Sequence, residues 1–230
     1  MTDRIELLGR LGSIVASDAE GRPLPQRLCD ACRLILDVDG ASITVEHGTP
    51  HRVTLCATDD VAASLDDAQD VVGEGPACDA LNQTEVVVAT LDDDAESRWP
   101  QYTMMVRRLM PTGIVYAVPM RPGGSVLGVL SLYRRQPVLV DTSLDSVQFL
   151  ADTVGAALLH DPLSTSTAED AGPWSTRATV HQATGMVVAQ LRVSVDDALA
   201  MLRAHAFAHN VSMGELAAMV VSRRYDFRED

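Results

Sequence analysis

Two apolar runs, GIVYAVPM at 113–120 and SVLGVLSLYRR at 125–135, are separated only by Arg121-Pro122-Gly123-Gly124. Both have strand composition, and so short a connection cannot make the crossover that parallel strands require. The two runs must therefore pair antiparallel as a hairpin. A chain containing this unit has to build an antiparallel sheet and cover its faces. GASITVEHG (40–48) and HRVTLCATDD (51–60) read as a second hairpin around His47-Gly48-Thr49-Pro50, and EVVVATL (85–91) as a further strand after a short helix.

Helical spacing supplies the cover. Ile5, Leu8, Leu11 and Val15 predict an amphipathic opening helix, and Leu24 to Asp37 a second one after Arg22-Pro23. SRWPQYTMMVRRLM (97–110) predicts a helix interrupted early by Pro100. A long helix closes the region: Thr142 and Asp145 form a capping box, and Leu144, Val147, Leu150, Ala151, Val154 and Leu158 its apolar stripe. Residues 1–160 thus read as one mixed α/β domain, an antiparallel sheet flanked by helix-rich ends.

HDPLSTSTAEDAGPW has two prolines, a Ser/Thr run and no apolar period, which places a linker at 161–174. Residues 175–230 then predict three short helices. The first runs from Thr176 to Arg192. Ser194 with Asp197 caps the second, which ends at His209; Ser212 with Glu215 caps the third, which runs to about Tyr225. Asn210-Val211 marks the break between them. Val180, Ala183, Val187 and Leu191 form one apolar row, Leu199, Leu202 and Ala206 the next, and Leu216 and Val220 the third. Beside the first row the wheel places Arg177, His181, Thr184, Gly185, Val188 and Arg192 in one stripe. Its ends are cationic and its middle is small and polar. Gly185 leaves bare backbone that either a packed helix or another molecule can approach.

Composition narrows the chemistry. The chain of 230 residues contains no lysine. That removes P-loop, protein-kinase, Schiff-base and lysine-dependent receiver readings together. Four cysteines do not make a secreted disulfide framework. Cys29 and Cys32 lie inside a predicted helix rather than at its start, and Cys56 and Cys78 do not form a second ligand pair, so no zinc site is expected. His47 and His51 flank a turn and are expected to be solvated. The amphipathic start lacks a cleavable apolar segment and no run is long enough to span a membrane, so the expectation is a soluble, reduced, cytoplasmic protein. Residues 172–230 carry six arginines and six acids, and the preceding region holds the whole net charge of −14. An acidic first part should repel nucleic acid and a neutral second part should not.

VVGEGPACDAL (71–81), SRWPQY and YAVPMRPGGSVLGVLSLYRRQP together resemble a GAF domain over roughly residues 20–160. The resemblance implies a sensor role, with GEGP leading into a short helix and VLGVLSLY pairing at the sheet centre. It names no ligand or cofactor. HQATGMVVAQLRVSVDDALAMLRAHAFAHNVSMGELAAMVVSRR (181–224) resembles an ANTAR domain, the RNA-binding output module of bacterial antitermination regulators. The implied fold class is α+β: a GAF-like domain followed by an all-α three-helix ANTAR domain, in a regulator of the actinobacterial type.

By that resemblance the partner is nascent mRNA with two adjacent short-loop hairpins, bound so that a competing terminator cannot form. The motif carries over as Ala183, Gly185 and Met186, with Arg203 in the second helix. The middle motif position, often basic in the family, is Thr184 here and brings a hydroxyl without charge. Arg177, His181, Arg192, Arg223 and Arg224 supply the remaining candidate RNA contacts. Arg223 and Arg224 would equally satisfy a helix dipole, and His205 and His209 read as packing histidines. The stripe on the closing helix suggests a homodimer presenting two ANTAR domains. No catalysis and no metal are expected, and a small-molecule ligand in the GAF domain stays open. A DNA-binding helical regulator, a partner-binding module without RNA, and a GAF-type methionine sulfoxide reductase are the competing readings.

Overall fold

The computed structural model describes residues 4–17, 22–46, 52–91, 98–161, 173–209, 211 and 213–228. The chain divides into two compact units, the second comprising Ala168–Asp230 together with Asp70–Gly73. In the first, α1 (Arg4–Ser17) and α2 (Leu24–Leu36) precede β1 (Gly40–Glu46) and β2 (Arg52–Ala57). Then come α3 (Asp60–Val72), α4 (Pro76–Gln83), β3 (Val87–Thr90), α5 (Pro100–Val106), β4 (Ile114–Met120), β5 (Gly128–Arg134) and α6 (Leu144–Leu159).

The hairpin read from the sequence is present, running from Ile114 opposite Arg134 to Met120 opposite Gly128. It sits within a five-stranded antiparallel sheet of order β2-β1-β5-β4-β3, with β5 at the centre. Gly128 is required where β5 meets β1: a Cβ there would lie 2.1 Å from the Thr44 carbonyl oxygen.

The sheet has two unlike faces. Ile43, Leu130, Leu132, Tyr116 and Val118 point into an apolar core completed by Leu7, Leu28, Val147, Leu150 and Val154 from α1, α2 and α6. The alternate residues turn the other way. Ser42, Ser131 and Ala117 are paired across β1, β5 and β4, and Thr44 lies opposite Val129. On that side α4 packs against β3, β4 and β5, and Thr44 donates its hydroxyl to Asp66 of α3 at 2.9 Å.

Several local expectations move. α1 buries Leu7 and Leu11, whereas Ile5 and Leu8 are exposed, so the inward face is rotated from the one read. The expected break at Pro100 is present as a bend at Trp99, after which Pro100 begins α5, where its missing N–H leaves no bond unmade. The cap of α6 is Ser143, whose Oγ accepts from the Ser146 N–H at 3.3 Å, rather than Thr142. The α6 stripe from Val147 to Leu158 is buried in the chain's own core, and Leu144 is exposed. That stripe is therefore not available to a second copy. The predicted turn at 47–50, with His47 and His51, lies outside the described residues.

In the second unit, α7 (Pro173–Leu191), α8 (Val195–His209) and α9 (Met213–Val221) form the three helices. α7 starts a turn earlier than expected, with proline again in its first turn. Ser194 accepts from the Asp197 N–H at 3.1 Å and donates to the Asp197 carboxylate at 2.7 Å, the capping box read from the sequence. Ser212 lies outside the described residues. Ala183 and Val187 of α7, Leu199, Leu202 and Ala206 of α8, and Leu216 and Val220 of α9 make the core, while Val180 and Leu191 are half-buried.

α9 ends at Val221, not near Tyr225. Arg223 takes φ 56°, its N–H donates to Val220 O at 3.0 Å and the Arg224 N–H to Met219 O at 2.8 Å. That is a Schellman turn with arginine in the place where glycine is favoured. α7 ends likewise: Arg192 has φ 57° and donates its N–H to Val188 O at 2.8 Å. A left-handed non-glycine residue costs about 1–2 kcal/mol, so these two arginines are held against the preference of the backbone.

Candidate nucleic-acid interface

Position by position, α7 separates its inward and outward residues more sharply than the wheel did. Gly185 is exposed, and among the described residues a Cβ built there meets nothing within 4 Å. No helix packs on it, so the packing explanation for this glycine does not apply within the described fold. Its neighbour Thr184 is the surprise. It is buried, and its hydroxyl donates to the Val180 carbonyl at 2.7 Å. A threonine one residue from the apolar row can rotate inward because its own helix satisfies its hydroxyl. Ala183 is fully buried, Met186 and Val188 are half-buried, and Arg192 is exposed. Arg177 and His181 lie on α7, and their side chains are outside the described residues.

On α8, Arg203 is half-buried. Arg223 and Arg224 stand exposed just past α9, and Arg224 Nε donates to Ser222 Oγ at 3.0 Å. His205 and His209 meet the C-terminal tail through Tyr225 and Phe227, a grouping that residue spacing did not anticipate because α9 was read as continuing through Tyr225.

The first unit holds a second set of chemistry-bearing side chains. Ser42, Thr44, Ser131, Asp66, Gln69, Tyr102 and Thr103 are all buried. Gln69 accepts the Ala77 N–H at 2.6 Å and donates to Leu65 O at 3.3 Å. Among the described residues neither the Tyr102 hydroxyl nor the Ser131 hydroxyl has a hydrogen-bond partner. Burial, reinforced by Asp66 and Cys78 nearby, pushes the Tyr102 phenol well up.

The cysteines gather differently from a redox motif. Cys29, Cys32 and Cys56 are buried, and Cys56 donates to Pro25 O at 3.1 Å. The contact with Cys56 and then burial hold the Cys29 thiol well above its ordinary range; burial and then Cys56 do the same for Cys32. Thiolate chemistry needs the reverse, a lowered pKa and access. Cys78 is half-buried with its sulfur 3.9 Å from Gln69 O. Among the described residues no group of three or more His, Cys, Asp or Glu could hold a metal ion, and no helix is long and apolar enough to cross a membrane.

An antiparallel five-stranded sheet with helices on both faces is thus followed in the chain by a three-helix unit with an open glycine on its first helix. The sequence model of the GAF domain matches residues 24–158 and that of the ANTAR domain residues 174–221. The chain belongs to the GAF domain family and carries an ANTAR domain behind it. Both are regulatory, non-catalytic types of domain, a sensory module and an output module of the RNA-binding kind.

Among solved structures, the chain is similar to the GAF domain from Acinetobacter phosphoenolpyruvate-protein phosphotransferase, at 16% identity, 70% of this chain, 96% of that chain and TM-score 0.49. It is also similar to the A. Aeolicus nlh2 GAF domain in an inactive state, at 14% identity, 69% and 97% coverage and TM-score 0.48. Escherichia coli SdiA is similar at 14% identity, 95% of each chain and TM-score 0.48. No curated protein matches the chain.

Proposed function

We propose that this protein is an RNA-binding transcription antitermination regulator, its ANTAR domain binding paired short-loop hairpins in nascent mRNA and its GAF domain sensing. The observation that carries the reading is Gly185: an exposed backbone in mid-helix, with open space over it, at a helix position where glycine is unfavourable. Bare backbone allows close approach, and Arg192, Arg223 and Arg224 are exposed cations for phosphate. Arg177, His181, Met186 and Arg203 complete the contacting set in this reading. Ala183 and Thr184, both buried, act from inside by fixing the helix that presents Gly185.

The signal enters on the polar face of the sheet. Each buried hydroxyl without a partner costs about 1–3 kcal/mol, and a small molecule presenting complementary groups to Tyr102 and Ser131 would offset that cost. A homodimer would present two ANTAR domains to two loops and turn weak single contacts into avidity. With the α6 stripe buried, the exposed Ile5 and Leu8 of α1 and Leu159 of α6 are the surface for that association.

Ultraviolet crosslinking of the tagged protein in cells, with sequencing of the recovered nucleic acid, tests the reading directly. Paired short-loop hairpins upstream of terminators should be recovered with the wild type and lost with Gly185→Asp. Recovery of duplex DNA, or of nothing specific, would overturn it.

A further inference from the structure

The ANTAR match ends at residue 221, yet the chain continues as Ser222-Arg223-Arg224-Tyr225-Asp226-Phe227-Arg228, cations interleaved with two aromatic rings. The turn at Arg223 sends this tail back onto α8. Phe227 is buried with its ring centre 4.6 Å from that of His205. Tyr225 stands edge-on to Phe227, His209 and His205, with ring centres 5.1, 5.6 and 5.7 Å away. Its hydroxyl bridges two imidazoles, bonding His205 Nδ1 and reaching His209 Nε2 at 3.4 Å.

Exposure rises outward through this cluster: Phe227 is buried, His205 and Tyr225 are half-buried, and His209 is exposed. The inner rings anchor the tail, and the outermost imidazole is held by a hydroxyl where an exposed side chain would ordinarily turn freely. The charges sort as well. Arg228 is tied to Asp226 at 2.7 Å, and the same contact draws the Asp226 carboxyl down to about 2. Among the described residues neither Arg223 nor Arg224 has an ion pair.

A pre-positioned planar ring held by Tyr225, which follows in sequence two exposed arginines that make no ion pair among the described residues, matches an unpaired nucleobase with its phosphate. An acidic peptide would use the arginines but would give no reason to hold the ring. We infer that the corner made by His209, Tyr225 and Arg223 is a second RNA contact, stacking one unpaired loop base on the His209–Tyr225 rings and meeting its phosphate with Arg223. The inference rests on the RNA reading above and extends it beyond the matched domain.

The test titrates the full-length protein with a synthetic RNA of two adjacent short-loop hairpins, and with the same stems joined as a continuous duplex. His209→Ala should weaken hairpin binding roughly tenfold, the loss of one stacked base, and leave the duplex control little changed. His209→Phe should restore most of it. Arg223→Gly should weaken binding while raising Tm, because glycine suits the left-handed turn. Wild-type affinity in His209→Ala and Arg223→Gly would overturn this contact and leave the RNA reading standing. Equal loss in His209→Ala and His209→Phe would overturn the stacking. Competition by polyglutamate as effective as by RNA would replace it with an acidic partner. A wild type that binds neither RNA overturns both readings.

Discussion

Gly185 and its neighbour show how differently adjacent residues can serve one helix. Because nothing lies within 4 Å of a Cβ at Gly185, Gly185→Ala should stabilise the ANTAR unit by up to about 1 kcal/mol. The same change should lower RNA affinity. Thermal unfolding and RNA titration of one sample check both, and reduced stability would show that the space is closed. Thr184→Val should leave RNA affinity unchanged, since the Thr184 hydroxyl is engaged with Val180 O. Tyr133 offers a pH signature. Its hydroxyl bonds both carboxylate oxygens of Asp59 at 3.1 Å, and burial, then Asp59, pushes its phenol up to about 12 from 10. The folded state keeps this proton longer than the unfolded chain does. Its contribution is therefore whole below pH 10 and lost as pH rises towards 12. Tyr133→Phe should flatten that part of the stability profile, measured by urea unfolding at several pH values.

At the scale of elements, close packing between β1 and β5 should make Gly128→Ala destabilising by about 1–3 kcal/mol, read as a lower urea midpoint. The burial of α2 against the sheet makes a chemical prediction. In native protein an alkylating reagent should label Cys78 first, with Cys29, Cys32 and Cys56 reacting only on unfolding, as mass spectrometry would report. Rapid native labelling of Cys29 or Cys32 would reopen the redox reading. Much at this scale was legible in the sequence. The two hairpins, the second helix and the Ser194 cap follow from period, turn length and capping chemistry, all of which are local, whereas the central place of β5 came only with the GAF resemblance. What was not legible depends on the tertiary partner. Nothing within α1 says that Leu7 rather than Ile5 is buried where the helix packs on α2 and α6. Thr142 and Ser143 are both competent caps until the chain before them sets the angle of entry. The end of α9 was overrun because an arginine in a left-handed turn carries no signal of the kind glycine would. The same miss hid the tail cluster with His209.

For the whole molecule, charge sets the terms of the proposed RNA binding. The region before residue 172 carries the net −14 and the helical region is neutral, so affinity has to come from a few placed contacts rather than a broad basic field. If Arg192, Arg203, Arg223 and Arg224 each neutralise one phosphate, log K should fall against log salt with a slope of about −3 per ANTAR domain. A slope beyond twice that value in a titration of the full chain would require cations elsewhere. Light scattering should give a dimer that Ile5→Glu with Leu8→Glu converts to monomer, because those exposed apolar residues are what α1 leaves uncovered.

The left-handed arginines bear on how such a protein would change over generations. At Gly185, Arg192 and Arg223 the residue present is not the one that folding alone would choose. A laboratory lineage selected only for heat tolerance, with no demand for RNA binding, should substitute these three positions early, Gly185 to alanine and the two arginines to glycine. A lineage under both demands should keep all three and gain its stability elsewhere.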